Sequence, residues 1–260
     1  MHDPWGSHAM TENEINELVE SFIQAARRDH ESGFDGVDLF SGYNCLIDQF
    51  WSPITNRRDD KWGGSLENRL RFSVEICEGI RKVAGDDFII GMTISGAEPY
   101  PGGLSMDDKL EIVSWLDARG LVDYYSIGNG SYLNRFAEIV PSFHFGMKLT
   151  ETEAEQFKNT VSHALITAEA RVKTPENAEE VLSAGHADMV SIVRGQIADP
   201  HLANKAKEGR AEDIRPCISC NQLCLGRRLR DYWGSCLVNP SVGREHEWDG
   251  DTTPPTIAPK

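Results

Sequence analysis

Four cysteines near the end of the chain have a spacing that suits a metal ion or an iron–sulfur cluster. They follow the pattern Cys217-x2-Cys220-x3-Cys224-x11-Cys236, which gathers three thiols in one short loop. Thiolates are soft ligands that bind both zinc and iron–sulfur clusters, so the spacing alone leaves the two open. Cys77 stands apart, in the apolar stripe of a predicted helix, where we expect a small buried apolar side chain.

Two arginines follow the last two predicted strands. Arg171 comes directly after ALITAEA (164–170), and Arg194 comes directly after ADMVSIV (187–193). In (β/α)8 barrels, the loops after the last two strands often bind a phosphate through backbone N–H groups and a cation. We therefore predict that Arg171 and Arg194 bind a phosphate. The alternative is a pair of surface or ion-paired arginines.

Short apolar segments alternate with longer amphipathic ones up to about residue 210. Capping patterns at Thr11 and Glu14, and at Thr150 and Glu153, indicate helix starts. Further helix starts are indicated by Ser65 and Ser105 as N-caps, by Pro175 at a first helical position, and by Asp199 before a proline. Strictly alternating strands and helices predict an α/β fold with a parallel sheet and right-handed crossovers. The predicted strands are 34–40, 88–95, 122–128, 164–170 and 187–193.

Composition narrows the class of protein. The chain has 260 residues, with 26 Lys+Arg and 41 Asp+Glu, so its formal net charge is −15. So acidic a protein is a poor candidate for binding nucleic acid or an anionic membrane. No apolar run reaches the roughly 20 residues of a membrane span, and the first residues lack the pattern of a secretory signal. Six cysteines are too sparse for a disulfide scaffold. We expect a cytoplasmic protein.

Four ordered blocks of the sequence resemble the Old Yellow Enzyme superfamily, the NADH:flavin oxidoreductases. The first block is DQFWSPITNRRDDKWGGSLENRLRF, at 48–72. Within the superfamily, the sequence is similar to the branch that contains trimethylamine dehydrogenase and 2,4-dienoyl-CoA reductase, and to N-methyl amine and N-methylproline demethylases. The resemblance runs from about residue 10 to 245, and the further blocks are HADMVSIVRGQIADPHLANKAKEGR (186–210), RPCISCNQLC (215–224) and SCLVNP (235–240).

The resemblance implies a partial TIM (β/α)8 barrel that contains about the last five βα units, followed by a Cys-rich iron–sulfur loop. The segment 34–40 matches the family's fourth strand. We expect 1–210 to be a partial FMN-binding barrel, 211–240 a [4Fe–4S] segment and 241–260 a polar tail or linker. On this interpretation the chain is truncated at both ends, and domains for FAD or NAD(P)H follow in relatives. A catalytically silent piece that is poorly soluble or oligomeric, and binds FMN weakly, is therefore one hypothesis.

The resemblance also assigns ligands. The spacing of the four cysteines matches the family's [4Fe–4S] site, and we expect them to hold that cluster. The family arginines that match Arg171 and Arg194 contact the FMN phosphate. Ala170 stands where the family usually has a glycine, so its side chain could crowd the phosphate.

The strand ends differ more from the family. Tyr43 and Tyr132 stand where relatives have histidines, and Asn129 stands where trimethylamine dehydrogenase has an aspartate. We expect the two tyrosines to orient an amine or relay a proton, with aromatic packing around a cleft as the alternative. Thr93 replaces an arginine beside the flavin N1/O2 edge and can donate only a neutral hydrogen bond. Cys45 replaces a proton-donating tyrosine.

Two enzyme activities fit these residues. The first is an FMN- and [4Fe–4S]-dependent oxidoreductase that demethylates an N-methylated amine and passes electrons from flavin to cluster. The second is an NAD(P)H-dependent reductase of an activated C=C bond, as in enoate or dienoyl-CoA reduction. That reduction needs a proton donor, and Cys45 is a poor substitute for tyrosine, so we favour amine oxidation. The expected partners are a small-molecule substrate and an electron-transfer protein or NAD(P)H, and a homo-oligomer is left open.

Overall fold

The computed structural model describes residues 8–98 and 100–248 of the chain. Its strands are β1 (Gly36–Phe40), β2 (Ile89–Ser95), β3 (Tyr124–Gly128), β4 (Leu165–Ala168) and β5 (Met189–Val190). Its α-helices are α1 (Glu12–Glu31), α2 (Leu46–Trp51), α3 (Leu66–Ala84), α4 (Met106–Asp117), α5 (Phe136–Ile139), α6 (Glu151–Lys158), α7 (Pro175–Ser183), α8 (Arg194–Ala198), α9 (Leu202–Lys207), α10 (Leu225–Arg228) and α11 (Glu245–Trp248).

The five strands form one sheet in the order β1-β2-β3-β4-β5, and every neighbouring pair is parallel. The predicted α/β fold with five βα-type strands is therefore confirmed. Each strand lies within the segment predicted for it, although β5 is reduced to two residues. Because the strands are parallel, their carboxyl ends and the loops that follow them lie at the same edge of the sheet.

One face of the sheet packs against helices and forms the core. Ile90, Met92, Ile94, Tyr125 and Ile127 alternate along β2 and β3 and are fully buried. Helix α1 packs on α3 and on β1, so the amphipathic helices cover this face. Each fully buried aliphatic side chain contributes about 1.5–3 kcal/mol. Cys77 lies in this core, as predicted, and burial raises the pKa of its thiol to about 12.

The strongest capping patterns are confirmed. Thr11 forms a reciprocal capping box with Glu14 at the start of α1, and the backbone and side-chain hydrogen bonds from Thr11 lower the pKa of Glu14 to about 2. Ser65 caps α3, and Pro175 is the first residue of α7. Trp51 and Trp62, the two tryptophans of the block at 48–72, are fully buried and pack in the core.

One predicted helix start is confirmed without its predicted cap, and a second is wrong. Helix α6 begins at Glu151, directly after Thr150, but the Thr150 side chain makes no cap hydrogen bond, and its hydroxyl donates to the Glu169 carbonyl oxygen at 2.7 Å. The helix predicted from Asp199 begins only at Leu202, and the Asp199 carboxylate accepts hydrogen bonds from the His201 and Arg215 N–H groups and from the Lys205 ammonium.

The Cys-rich stretch after the barrel units is mostly loop. It contains α10. The predicted polar tail, 241–260, includes α11, and its residues 249–260 lie outside the described residues. Among the described residues, no helix is both long enough and apolar enough to cross a membrane.

Candidate active site

The second face of the sheet is polar. Register pairs Asp38 with Gly91, Phe40 with Thr93, and Thr93 with Ser126, so these side chains share the face opposite the core. In most barrels the corresponding interior positions carry bulky branched residues. The hydroxyls and carboxylates on this face therefore indicate a site rather than core packing.

Tyr43 lies at the centre of this site, just beyond β1. Its backbone is held in the left-handed region, with φ of 62°. Its N–H donates to the Ser95 hydroxyl at 3.1 Å, and its carbonyl accepts from the Tyr132 N–H at 3.2 Å. A side chain at Gly128 would overlap the Tyr43 phenol, so the glycine at the end of β3 makes room for the ring. Contacts at the ends of β2 and β3 thus fix the position of the Tyr43 ring.

The Glu169 carboxylate accepts the hydrogen bond of the Tyr43 hydroxyl. The Tyr43 hydroxyl donates to Glu169 Oε2 at 3.0 Å, and the Ser126 hydroxyl donates to Oε1 at 2.6 Å. Burial and the nearby Glu169 charge raise the pKa of Tyr43 far above its ordinary value. The phenol therefore stays protonated and directs its proton at the carboxylate.

Thr93 is hydrogen-bonded to a second carboxylate, Asp38, on the same face. Its hydroxyl donates to Asp38 Oδ1 at 2.7 Å, and the Tyr124 hydroxyl donates to Asp38 Oδ2 at 2.9 Å. Burial and the Asp38 charge raise the pKa of Tyr124. Because its single proton is directed at Asp38, the Thr93 hydroxyl can only accept a hydrogen bond from any further group.

The Tyr132 ring contacts the Tyr43 ring, whereas the Asn129 side chain is hydrogen-bonded within its own turn. The Tyr43 and Tyr132 rings meet edge to face at 6.3 Å between centroids, and Phe40 and Phe136 extend this aromatic group. Tyr132 is half-exposed, at 52%. Asn129 Oδ1 accepts from the Gly130 N–H at 2.7 Å, so its amide stabilises its own turn.

Both predicted phosphate-binding arginines line one cavity of about 220 Å³ at the ends of β4 and β5, together with Lys173. Arg171 is buried; its Nη1 donates to the Ser142 carbonyl at 2.8 Å, and its Nε has no hydrogen-bond partner within the described residues. Burial and the nearby Arg194 guanidinium lower the pKa of Arg171. Ala170 and Arg171 both have left-handed backbones, with φ of 54° and 65°.

The four spaced cysteines line a second, small cavity of about 20 Å³. The two cavities share Arg194, Cys217 and Ser219, and the Arg194 guanidinium donates to Asn221 Oδ1 at 2.7 Å. Burial raises the pKa of the Cys224 thiol. In the part of the chain that the structure describes, no group of three or more His, Cys, Asp or Glu side chains is arranged to hold a metal ion.

Sequence reasoning missed Glu169, Asp38 and Ser126. Two of them had a signal, because Asp38 interrupts the apolar GVDLF and Glu169 ends the apolar run ALITA. Asp38 is exposed on the polar face and Glu169 is half-buried in the first cavity. A charged residue at the inward positions of a barrel strand is itself a site indicator.

The fold and the site define a barrel-type α/β enzyme domain with a cationic cavity at the last two strand ends. The chain belongs to the NADH:flavin oxidoreductase / NADH oxidase family, whose profile matches residues 2–213. This family consists of flavin-dependent oxidoreductases, so the recognised superfamily is confirmed. The TIM-barrel-type structural neighbours confirm the partial-barrel fold class.

Among curated proteins, the chain is 38% identical over 237 residues to an N,N-dimethylglycine/sarcosine dehydrogenase of Chromohalobacter salexigens, covering 90% of this chain and 34% of that protein. Among solved structures, a 2-naphthoyl-CoA reductase complex superposes with a TM-score of 0.84 at 36% identity, covering 92% of this chain and 36% of that one. Histamine dehydrogenase from Rhizobium sp. 4-9 gives a TM-score of 0.84 at 29% identity, covering 94% and 34%. The chain thus spans about a third of the length of these relatives.

Proposed function

We propose that this chain is the FMN-binding part of an oxidoreductase that demethylates an N-methylated amine and passes electrons from flavin to a [4Fe–4S] cluster. The observation that carries the flavin part is the cavity at the ends of β4 and β5. There two arginines and a lysine converge, and a buried guanidinium nitrogen lacks a partner. A dianionic phosphate satisfies both the charge and the orphan donor.

The residues therefore fit an FMN phosphate. Arg171 and Arg194 would hold the phosphate, and the left-handed backbone at Ala170 and Arg171 would turn the strand end towards it. Bound FMN would supply a two-electron acceptor. In this proposal, residues 1–210 are the flavin-binding unit and 211–240 the cluster unit.

The polar face supports amine oxidation over C=C reduction. Reduction needs a proton donor, yet the Tyr43 proton is directed at Glu169. Burial and the Asp48 charge raise the pKa of the Cys45 thiol, which makes it a weaker acid. By contrast, two carboxylates and a group of aromatic rings suit a cationic amine. The similarity to the N,N-dimethylglycine/sarcosine dehydrogenase supports the same substrate class.

The cluster is proposed from donor chemistry. Four thiols line one cavity, and soft thiolates are the usual ligands of a [4Fe–4S] cluster. Cys217, Cys220, Cys224 and Cys236 would each bind one iron. The shared lining of the two cavities would bring this cluster next to the flavin phosphate end. We further propose a cytoplasmic location and an electron-transfer protein or NAD(P)H as the redox partner. A homo-oligomer is one of the assemblies that this proposal allows.

The second candidate function is NAD(P)H-dependent reduction of an activated C=C bond. It is favoured by the similarity to 2-naphthoyl-CoA reductase, at 36% identity. In that case Tyr132, half-exposed beside Tyr43, is the better proton donor of the two tyrosines, because its phenol faces the open side of the site.

Anaerobic stopped-flow spectroscopy of the FMN-loaded protein tests the choice. We expect N,N-dimethylglycine, sarcosine or N-methylproline to bleach the flavin absorbance, and an electron-paramagnetic signal of a reduced cluster to follow. Bleaching by NADPH but by none of these amines would instead establish the reductase. A protein that binds FMN yet holds neither iron nor sulfide would remove the cluster from the proposal.

A further inference from the structure

We infer that Glu169, acting through Tyr43, accepts the proton of an ammonium substrate and so prepares the amine for oxidation. This inference rests on the proposed amine oxidation and names the proton acceptor of that same site. It starts from contacts that connect the ends of β1 and β4 with β3. Glu169 follows β4, Tyr43 follows β1, and Ser126 lies in β3, and the two hydroxyls clasp both oxygens of one carboxylate.

The charge of Glu169 has only neutral partners in its hydrogen bonds. Among the described residues, its hydrogen-bond donors are the phenol of Tyr43 and the hydroxyl of Ser126. Because both donors are neutral, neither compensates the negative charge, which can therefore attract a cationic substrate. Glu169 also lines the cavity of the two arginines, so it lies at the rim of the core rather than inside it.

The phenol is built to conduct a proton rather than to supply one. Its O–H is directed at Glu169, which leaves the oxygen lone pairs to accept a proton from the other side. Its left-handed backbone is fixed by Ser95 and by the Tyr132 N–H, and this strain persists because those contacts overdetermine it. The flanking ring of Tyr132 is half-exposed, so the approach to the phenol lies on the aromatic side.

The step balances without any electron transfer. The ammonium N–H bond breaks, its proton goes to the Tyr43 oxygen, and the original phenol proton goes to Glu169. The products are a neutral amine, an unchanged phenol and a protonated carboxylic acid. Only the neutral amine has the free electron pair that lets a neighbouring C–H bond give up its hydride equivalent.

Other titratable and charged groups face the Glu169–Tyr43 pair. On the polar face and in the cavity these are Asp38, Tyr124, Tyr132, Arg171, Lys173, Arg194 and Cys217.

The decisive experiment compares Glu169→Gln with wild type across pH. The probe is N,N-dimethylglycine, and the readout is the rate of flavin bleaching in the FMN-loaded protein under anaerobic conditions. We expect E169Q to be slower by about 100-fold at pH 7, within the range of general-base contributions. Its rate should then rise about tenfold per pH unit towards the amine's own pKa, because the free amine needs no acceptor. E169D should restore part of the rate at pH 7.

Two controls separate this role from a structural one. E111Q removes an exposed carboxylate from α4 and should keep the wild-type rate and pH profile. S126A loosens Glu169 but keeps the proton acceptor, so its profile should keep the wild-type shape. A uniform loss in E169Q at every pH, without alkaline recovery, would overturn the inference while leaving amine oxidation intact.

A second measurement does not depend on turnover. In protein labelled with 13C at the tyrosine ζ carbon, the resonance missing from Y43F identifies Tyr43. We expect it to shift in E169Q but not in E111Q, because the phenol loses a charged acceptor. If the Tyr43 resonance did not shift in E169Q, the hydrogen bond between Tyr43 and Glu169 would be refuted. A wild type that no N-methylated amine bleaches would instead refute the proposed function, and the proton-acceptor role with it.

Discussion

At the scale of single residues, the site depends on backbone conformations that side chains usually avoid. Tyr43, Asn44, Ala170 and Arg171 all have positive φ, between 54° and 67°. For a residue other than glycine this costs about 1–2 kcal/mol. The strained positions coincide with the two strand ends that carry the phenol and the cationic cavity, which is where strain is retained for function.

Ala170→Gly tests this strain. We expect the free energy of unfolding to rise by up to about 1 kcal/mol, because relief of the left-handed penalty exceeds the extra chain entropy of glycine. The matched control is Ala25→Gly in the right-handed middle of α1, which should lower stability by about 1 kcal/mol. Urea unfolding midpoints with unchanged slopes measure both. Equal losses in the two variants would mean that Ala170 carries no strain.

At the scale of elements, a buried polar network fixes the loops that carry the tyrosines. The Lys109 ammonium of α4 and the Asp48 carboxylate of α2 form a fully buried ion pair. Asp48 also accepts from the Asn44 N–H at 3.0 Å, and the Asn44 amide donates to Glu98 at 3.0 Å. The Ser131 hydroxyl donates to the same Asn44 amide. Burial raises the pKa of Asp48, and the Lys109 charge opposes that rise.

Lys109→Met should break this network. Removing one partner leaves a buried, unpaired carboxylate, so we expect a loss of about 3–5 kcal/mol in the free energy of unfolding. The control Arg27→Met removes the cation of an exposed pair with Glu31 and should change stability by less than about 1 kcal/mol. Chemical denaturation measures both variants. A loss as small as that of the control would contradict the assigned importance of the network.

The same elements explain what the sequence could predict. Long helices with reciprocal caps, as at Thr11 and Ser105, were predicted because their signals are local. The short α2 and the true role of Thr150 were missed, since tertiary contacts decide them. The predicted parallel topology implies that Tyr43 and Arg171, which follow β1 and β4, share one edge of the sheet. It could not predict the bond between Tyr43 and Glu169, because that pairing depends on register across 126 residues of chain.

At the scale of the whole molecule, the charges are segregated. The chain carries a formal net charge of −15, yet the cavity at the ends of β4 and β5 gathers two arginines and a lysine. The polar face beside it holds two carboxylates clasped by hydroxyls. An anionic phosphate and a cationic amine would therefore meet complementary regions of the same sheet edge. This segregation connects the flavin proposal to the amine proposal.

Binding of FMN and riboflavin to flavin-free protein tests the central claim most directly, because the two ligands differ only in the phosphate. We expect wild type to prefer FMN by at least about tenfold, and Arg171→Met to weaken FMN binding by about 10- to 100-fold while riboflavin changes less than about twofold. The control Arg28→Met, on the exposed side of α1, should bind both ligands as wild type does. Equal wild-type affinities for FMN and riboflavin would contradict the assignment of the cavity as a flavin phosphate site.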